Sequence, residues 1–182
     1  MSFSNRIRII AIALALGFGN AACQPAPSET IRIEDLEDGL KGDVRGFVTS
    51  LYEEPDKWEY LRSMIRNGET RWIEAAVVLY GAADGGARSM PAASLGEALQ
   101  RSTMHMLELT QDGRLPPEVV CAAPDVDDDR YGTLLEATAA LNERISAVEA
   151  ISSPDLAHQK TECLRLLGEA EAMLKRFFGE SP

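Results

Sequence analysis

Residues 70–80 read TRWIEAAVVLY, and this stretch decides the fold. Apolar side chains recur in it at the three- and four-residue spacing of a helix, and further apolar residues extend the surface around most of the axis. They are Trp72, Ile73, Ala75, Ala76, Val77, Val78, Leu79 and Tyr80. A helix that is apolar on most sides must be covered by other helices, so this stretch predicts the centre of a helical bundle.

Shorter amphipathic segments flank this central stretch and are separated by Gly and Pro. Upstream, the spacing of apolar residues predicts a helix over about 43–53 and a second between Pro55 and Gly68. Downstream, a segment that starts near Pro91 continues past a break at 102–103 to about residue 110. The sequence therefore predicts a bundle of short helices over 31–110.

The C-terminal third has the pattern of an antiparallel helical hairpin. A polar, Pro-containing loop is predicted over 111–130, and apolar residues then recur at helical spacing in two arms. Ser153 and Pro154 predict the N-cap and first residue of the second arm, and Gly179 its end. We expect one all-α domain over 31–180, with the hairpin at 131–178.

Composition excludes several classes of protein. The 182 residues are 45% apolar, enough for the core of one domain, and the net charge is −11. This charge argues against a nucleic-acid partner, which requires a basic surface, and against a basic helix that adsorbs to membranes. Aromatic residues are only 6% and β-branched runs are lacking, which disfavours a sandwich or barrel.

The first 22 residues have the organisation of a signal peptide. Arg6 and Arg8 precede an apolar segment at 9–18, and small residues follow just before Cys23. An apolar segment of this length is shorter than the roughly 20 residues that span a bilayer. The sequence therefore predicts export to the periplasm.

Cys23 is the predicted site of lipidation. Asn20-Ala21-Ala22-Cys23 resembles a bacterial lipobox, although Asn20 stands where that motif usually has an apolar residue. The polar, Pro-rich residues that follow predict a tether over 23–30. Cleavage after Ala21 or Ala22, which releases a free periplasmic protein, is the alternative.

Cys121 and Cys163 are left as an even pair once Cys23 is assigned to the lipid. Thiols of an exported domain usually pair, so we expect a structural disulfide between the loop and the hairpin. A redox role is the alternative, but it normally requires two cysteines in a Cys-x-x-Cys arrangement and a low thiol pKa.

An acidic run offers a weak candidate for calcium. Asp125, Asp127, Asp129 and Glu136 match positions 1, 3, 5 and 12 of an EF-hand loop. Arg130, however, stands where the loop requires its turning glycine. The alternative is that these aspartates precede a helix and complement its positive dipole end.

Other residues with catalytic potential are scattered. His105 and His158 each stand alone, so a zinc site lacks support and we expect no cofactor. Three glutamates near helix ends are candidates for glycoside cleavage but are more typical of a solvated face; they are Glu53, Glu54 and Glu59.

Aromatic residues on the short helices are candidates for either core or groove. The set consists of Tyr52, Trp58, Tyr60, Trp72 and Tyr80. At helical spacing such residues are more often core, and we expect Trp72 to be buried and to contribute more to stability than Trp58, which has charged neighbours.

Parts of this pattern resemble a family of uncharacterised exported proteins of Gram-negative bacteria. The likeness covers about residues 57–167 and consists of the Gly-x-x-x-Trp helix at 68–72, the Ala-Leu helix at 94–99 and the late cysteine pair. The sequence departs at 101–103, where such proteins tend to have Asn-Pro. The family has no assigned activity, so the resemblance implies a fold and no chemistry.

Taken together, these features predict a non-enzymatic interaction or structural module of the cell envelope. Its partner would be another envelope protein, and its only membrane contact the N-terminal lipid. Two alternatives stay open: a cell-wall-directed hydrolase, which requires a cleft with convergent carboxylates, and an inhibitor of a cationic enzyme, suggested by the acidic charge and the disulfide.

Overall fold

The computed structural model describes residues 30–83, 85–124 and 131–179. Within these ranges the chain forms nine α-helices and no strand, which confirms the all-α prediction. The helices are α1 (Ile33–Gly39), α2 (Val44–Tyr52), α3 (Pro55–Arg66), α4 (Thr70–Ala82), α5 (Ser89–Ala98), α6 (Thr103–Gln111), α7 (Pro117–Val120), α8 (Leu134–Glu149) and α9 (Ala157–Phe177), with 3₁₀ turns at Gly85–Arg88 and Pro154–Leu156. The predicted signal peptide and the tether up to residue 29, Cys23 included, lie outside the described residues.

Helix α4 lies at the centre of the bundle, as its apolar sequence predicts. It packs against α1, α2, α3 and α5. Ile73 and Ala76 are completely buried, and Trp72 is 5% exposed. The polar side chains of α4 lie on the narrow remaining face, where Arg71 forms ion pairs with Glu34 and Glu37 of α1.

Local sequence explains most helix ends. Asp43 caps α2 by accepting a hydrogen bond from the backbone N–H of Gly46, and Pro55 takes the first turn of α3. The end of α9 is followed by Gly179 at φ +80°, a conformation that favours glycine. The prediction that Ser153 caps the second arm is wrong, because this residue precedes the 3₁₀ turn but its side chain makes no capping hydrogen bond.

The segment predicted as a loop over 111–130 contains a helix, so that prediction is wrong in part. Helix α7 begins at Pro117 and packs against α5, α6 and α9. Its approach to α5 is close, since a Cβ on Gly96 would lie 3.0 Å from the carbonyl oxygen of Val119. Leu115 and Val120 are buried by this packing, which the polar composition of the segment conceals.

Helices α8 and α9 form the C-terminal pair. They pack against each other more extensively than any other two helices of the described chain, and the short connection at 150–156 turns between them. Lys160 Nζ donates hydrogen bonds to the carbonyl oxygens of Glu149 and Ile151, which fastens this corner. Within the described residues, no helix combines the length and apolar character needed to cross a membrane.

Candidate functional site

A disulfide joins the end of α7 to α9. The sulfurs of Cys121 and Cys163 are bonded at 2.00 Å, and the Cα atoms lie 5.3 Å apart. The two residues are 2% and 1% exposed, so solvent thiols do not reach the bond in the folded state. The predicted pairing is confirmed, and its burial is typical of a structural rather than a catalytic disulfide.

Arg144 occupies a core position of α8. The buried residues of this helix are Ala137, Leu141, Arg144 and Val148, a spacing at which a charged side chain is unexpected. Arg144 is only 2% exposed, and its Nη1 donates a 2.7 Å hydrogen bond to the carbonyl oxygen of Ala122. A buried guanidinium is tolerated only when hydrogen bonds replace its hydration, and this bond supplies one of them.

A polar cavity of about 230 Å³ lies beside Arg144, between α3, α5 and α8. We call it the arginine cavity, because guanidinium groups from three separate segments line it together with one carboxylate. Its lining consists of Ser63, Arg66, Asn67, Glu97, Gln100, Arg101, Tyr131 and Arg144. The lining thus carries three positive charges and one negative charge, and Glu59, next to the cavity, pairs with one of the three arginines, Arg66.

Glu97 is the acidic member of the arginine cavity and is 3% exposed on α5. The Nε of Arg66 lies 3.7 Å from its Oε2, and the Nη2 of the same arginine contacts Glu59 Oε1 at 2.7 Å. Arg66 is thus held between two carboxylates on different helices. Glu59, a sequence candidate for carboxylate catalysis, acts here as an ion-pair partner at the surface.

Arg101 lies in the turn between α5 and α6, where the backbone of Gly68 approaches it. Gly68 has φ +80°, and a Cβ placed on it would lie 2.9 Å from the Cβ of Arg101. Glycine is therefore required at 68, and the contact fixes where the Arg101 side chain begins. Unlike the other two arginines of the cavity, Arg101 is exposed.

A wider surface depression, which we call the outer groove, adjoins the arginine cavity. Its volume is about 650 Å³, and it shares Gln100 and Arg101 with the cavity. The remaining lining comes from α8 and consists of Ala139, Asn142, Glu143 and Ser146. Side-chain amides and a hydroxyl line this groove, but most of its exposed surface is apolar.

A second charged cluster links α4 to α6. Arg114 donates two hydrogen bonds to the Glu74 carboxylate, at 3.1 and 2.5 Å, and this guanidinium holds the pKa of Glu74 below its usual range. His105 Nε2 lies 3.1 Å from Glu74 Oε1 without the alignment of a hydrogen bond, and its Nδ1 lies 3.8 Å from Glu108. This cluster fastens the end of α6 to the central helix.

The calcium candidate is only partly described. Asp125, Asp127 and Asp129 lie outside the described residues, whereas Glu136 sits in the first turn of α8. Its backbone N–H donates to Thr133 Oγ1 at 3.2 Å, and its carboxylate accepts from the same hydroxyl at 2.9 Å. Glu136 thus takes part in capping the helix. Within residues 30–83, 85–124 and 131–179, no group of three or more potential ligands is arranged to hold a metal ion.

The aromatic residues lie in and around the core rather than along the arginine cavity, with the exception of Tyr131. Trp58 and Trp72 are each 5% exposed, and their rings lie 5.7 Å from Tyr52 and 5.8 Å from Tyr60 respectively. The burial of Trp72 is as predicted. The two rings are equally buried, but Trp58 Nε1 has no hydrogen-bond partner among the described residues, which favours a smaller contribution from Trp58.

Sequence reasoning did not single out the arginines and the glutamate of the cavity. Glu97 and Arg101 are neighbours along the chain, but Arg66 and Arg144 lie on distant segments, and only the fold brings all four to one cavity. In α8 the apolar spacing of the sequence predicts Ile145 on the buried face, whereas the structure buries its neighbour Arg144. Comparisons of the chain with protein-family models, with curated proteins and with solved structures gave no match, so the family resemblance stays a prediction.

Proposed function

We propose that this protein is an exported interaction module of the cell envelope, which binds a partner protein through the arginine cavity and the outer groove. The observation that carries the proposal is the convergence of Arg66, Arg101 and Arg144 on one cavity in a chain of net charge −11. Grouped guanidiniums are well suited to recognise carboxylates or phosphates.

Export is supported by the chemistry of the cysteines. A buried structural disulfide is typical of oxidising compartments such as the periplasm. Because Cys121 and Cys163 pair with each other, Cys23 is left over, as expected if its sulfur carries a lipid. We therefore propose a lipid-anchored periplasmic domain tethered through residues 23–30.

The charge distribution favours this function over the two alternatives. An inhibitor of a cationic enzyme would bind through its acidic surface, whereas the cavity concentrates positive charge. A glycoside hydrolase requires two carboxyl groups flanking the bond to be cleaved. The described lining of the cavity provides one, Glu97, and Arg66 lies beside it.

Site-specific photo-crosslinking in cells tests the proposal. A photoreactive amino acid at Asn142, in the outer groove, should crosslink to a discrete partner, and the matched position Ala172, exposed on α9, should not. Adding Arg101→Gln should abolish the crosslink from position 142. A crosslink of equal strength from both positions, or one that persists in the Arg101 variant, would refute a partner site at the cavity.

A further inference from the structure

We propose that the arginine cavity receives a free carboxylate group of a peptide, and that the peptide chain beyond it lies along the outer groove. This inference deepens the proposed function, on which it rests, by naming the chemical class of the ligand. It depends on three properties of the site: how the guanidiniums are held, how large the cavity is, and what lines the groove.

The guanidiniums differ in how they are held. Arg144 is anchored by its 2.7 Å hydrogen bond to Ala122, and Arg66 by its carboxylate neighbours at 2.7 and 3.7 Å. The positions of these two side chains therefore do not depend on a ligand, and the charge of Arg66 is offset by its carboxylate neighbours. Arg101 is exposed and lines both the cavity and the groove, so it is placed to meet an incoming anion. A planar guanidinium binds a carboxylate through two parallel hydrogen bonds.

The charge and size of the cavity favour a single carboxylate. Glu97 is buried in the lining, and Glu143 lies in the adjoining groove, so a dianionic phosphate would meet repulsion at both places. A carboxylate carries only one negative charge, so its repulsion from Glu97 and Glu143 is weaker. The volume of about 230 Å³ is below the roughly 300–1,000 Å³ of sites that enclose a whole small molecule. The cavity therefore suits the end of a longer ligand.

The outer groove has the side chains that suit a peptide backbone. Gln100 and Asn142 each offer an amide donor and an amide acceptor, and Ser146 offers a hydroxyl. A peptide presents alternating N–H and C=O groups, which can pair with these donors and acceptors. Glu143 adds an acceptor for a peptide N–H or for a cationic side chain.

Titration of the ¹⁵N-labelled protein by NMR tests this inference. The probes are N-acetyl-tetra-alanine with a free C-terminal carboxylate and the same peptide as its C-terminal amide. The free acid should cause saturable shifts of the backbone amides of Gln100, Arg101 and Asn142, and the amide should bind at least about tenfold more weakly, since it lacks the charge.

Two exposed arginines provide matched variants. Arg101→Gln should weaken binding of the free acid at least about tenfold, and Arg176→Gln, in the last turn of α9 and away from the cavity, should leave it unchanged. Both positions are exposed, so both variants should fold, which their NMR spectra will show.

Three outcomes would overturn the inference: equal binding of acid and amide, stronger binding of inorganic phosphate than of the free acid, or no shifts with about 20 mM free acid. That concentration is well above the dissociation constant of a weak, millimolar ligand. The photo-crosslinking experiment does not depend on these probes. A crosslink from position 142 together with a negative titration would mean that the partner site is right and the ligand class wrong.

Discussion

Arg144 Nη1 donates a hydrogen bond to the carbonyl oxygen of Ala122, the residue directly after the disulfide cysteine Cys121. The segment that leaves α7 is therefore held twice, by a charged hydrogen bond from α8 and by the covalent bond from Cys163 on α9. These two links join the C-terminal helix pair to the short-helix bundle. They also position one wall of the arginine cavity, to which Arg144 belongs.

Replacing Arg144 with Met should lower the free energy of unfolding by about 2 kcal/mol, because the Ala122 carbonyl loses a charged donor in a buried place. Urea denaturation at constant m-value measures the loss. The sign of the change in unfolding free energy is informative, since exchange of a buried charge for an apolar residue is often neutral or stabilising. Arg176→Met, on an exposed site, serves as the control and should change stability by less than about 0.5 kcal/mol. Stability equal to wild type would mean that the hydrogen bond to Ala122 only offsets the cost of burying the guanidinium.

Removing the disulfide should have a larger effect. It closes a loop with a sequence separation of 42 residues, for which the chain-entropy model gives about 4 kcal/mol. The double variant Cys121→Ala/Cys163→Ala should therefore unfold at a much lower urea concentration than the oxidised wild type and close to the reduced one. Alkylation before and after reduction should reveal two additional thiols in the wild type only after reduction. Free thiols in protein isolated directly from the periplasm would contradict the structural role.

The central helix was predictable because its apolar residues surround most of its axis, and α3 because Pro55 marks its start. Helix α1 was not predicted. Its few apolar residues give only a weak helical pattern. The helix is stabilised instead by burial of Leu36 and by ion pairs with Arg71, whose Nη2 lies 2.8 Å from Glu37 Oε2. Both are tertiary contacts between segments far apart in sequence.

The register of α8 and the arginine cavity were missed for related reasons. The apolar spacing of the sequence places Thr138 and Ile145 on the buried face beside Leu141 and Val148. A face with Ala137 and Arg144 beside the same Leu141 and Val148 has equally helical spacing, so periodicity alone does not choose between the two. The structure buries Ala137 and Arg144 instead. Since a charged residue is rarely assigned to a core face, and since Arg66 and Arg101 lie on other segments, no local spacing indicated their convergence.

The pair between Glu74 and Arg114 should make stability depend on pH in the acidic range. Arg114 holds the pKa of Glu74 below its usual value of 4.5, so the pair stabilises the fold above that value and is lost as the pH falls through the lower, folded-state pKa. Between about pH 5 and about pH 3, wild type should lose more unfolding free energy than Glu74→Gln. The difference should stay below about 1 kcal/mol because the pair is partly exposed. Parallel losses in both proteins would show that this pair does not contribute.

Localisation can be tested at Cys23. If its sulfur carries a lipid, wild-type protein should sediment with membranes, and Cys23→Ser should appear in the soluble periplasmic fraction or accumulate uncleaved. The reason is that a lipid on Cys23 would hold the protein at the membrane, and serine cannot carry it. Wild-type protein found in the soluble periplasmic fraction would instead support cleavage after Ala21 or Ala22.

Trp58 and Trp72 are each 5% exposed, and each packs against a tyrosine ring. Trp58 Nε1 is, however, buried without a hydrogen-bond partner in the described part of the chain, so Trp72 should contribute more to stability than Trp58. Replacement of either by Ala should lower the free energy of unfolding by about 3–5 kcal/mol through lost burial and a residual cavity. Because the chain contains two tryptophans, each variant keeps one as a fluorescent reporter of unfolding. Phe177→Ala is the control, since that side chain is 59% exposed and its loss should cost little. If Trp58→Ala unfolds at a lower urea concentration than Trp72→Ala, the unpartnered ring N–H does not reduce the contribution of Trp58.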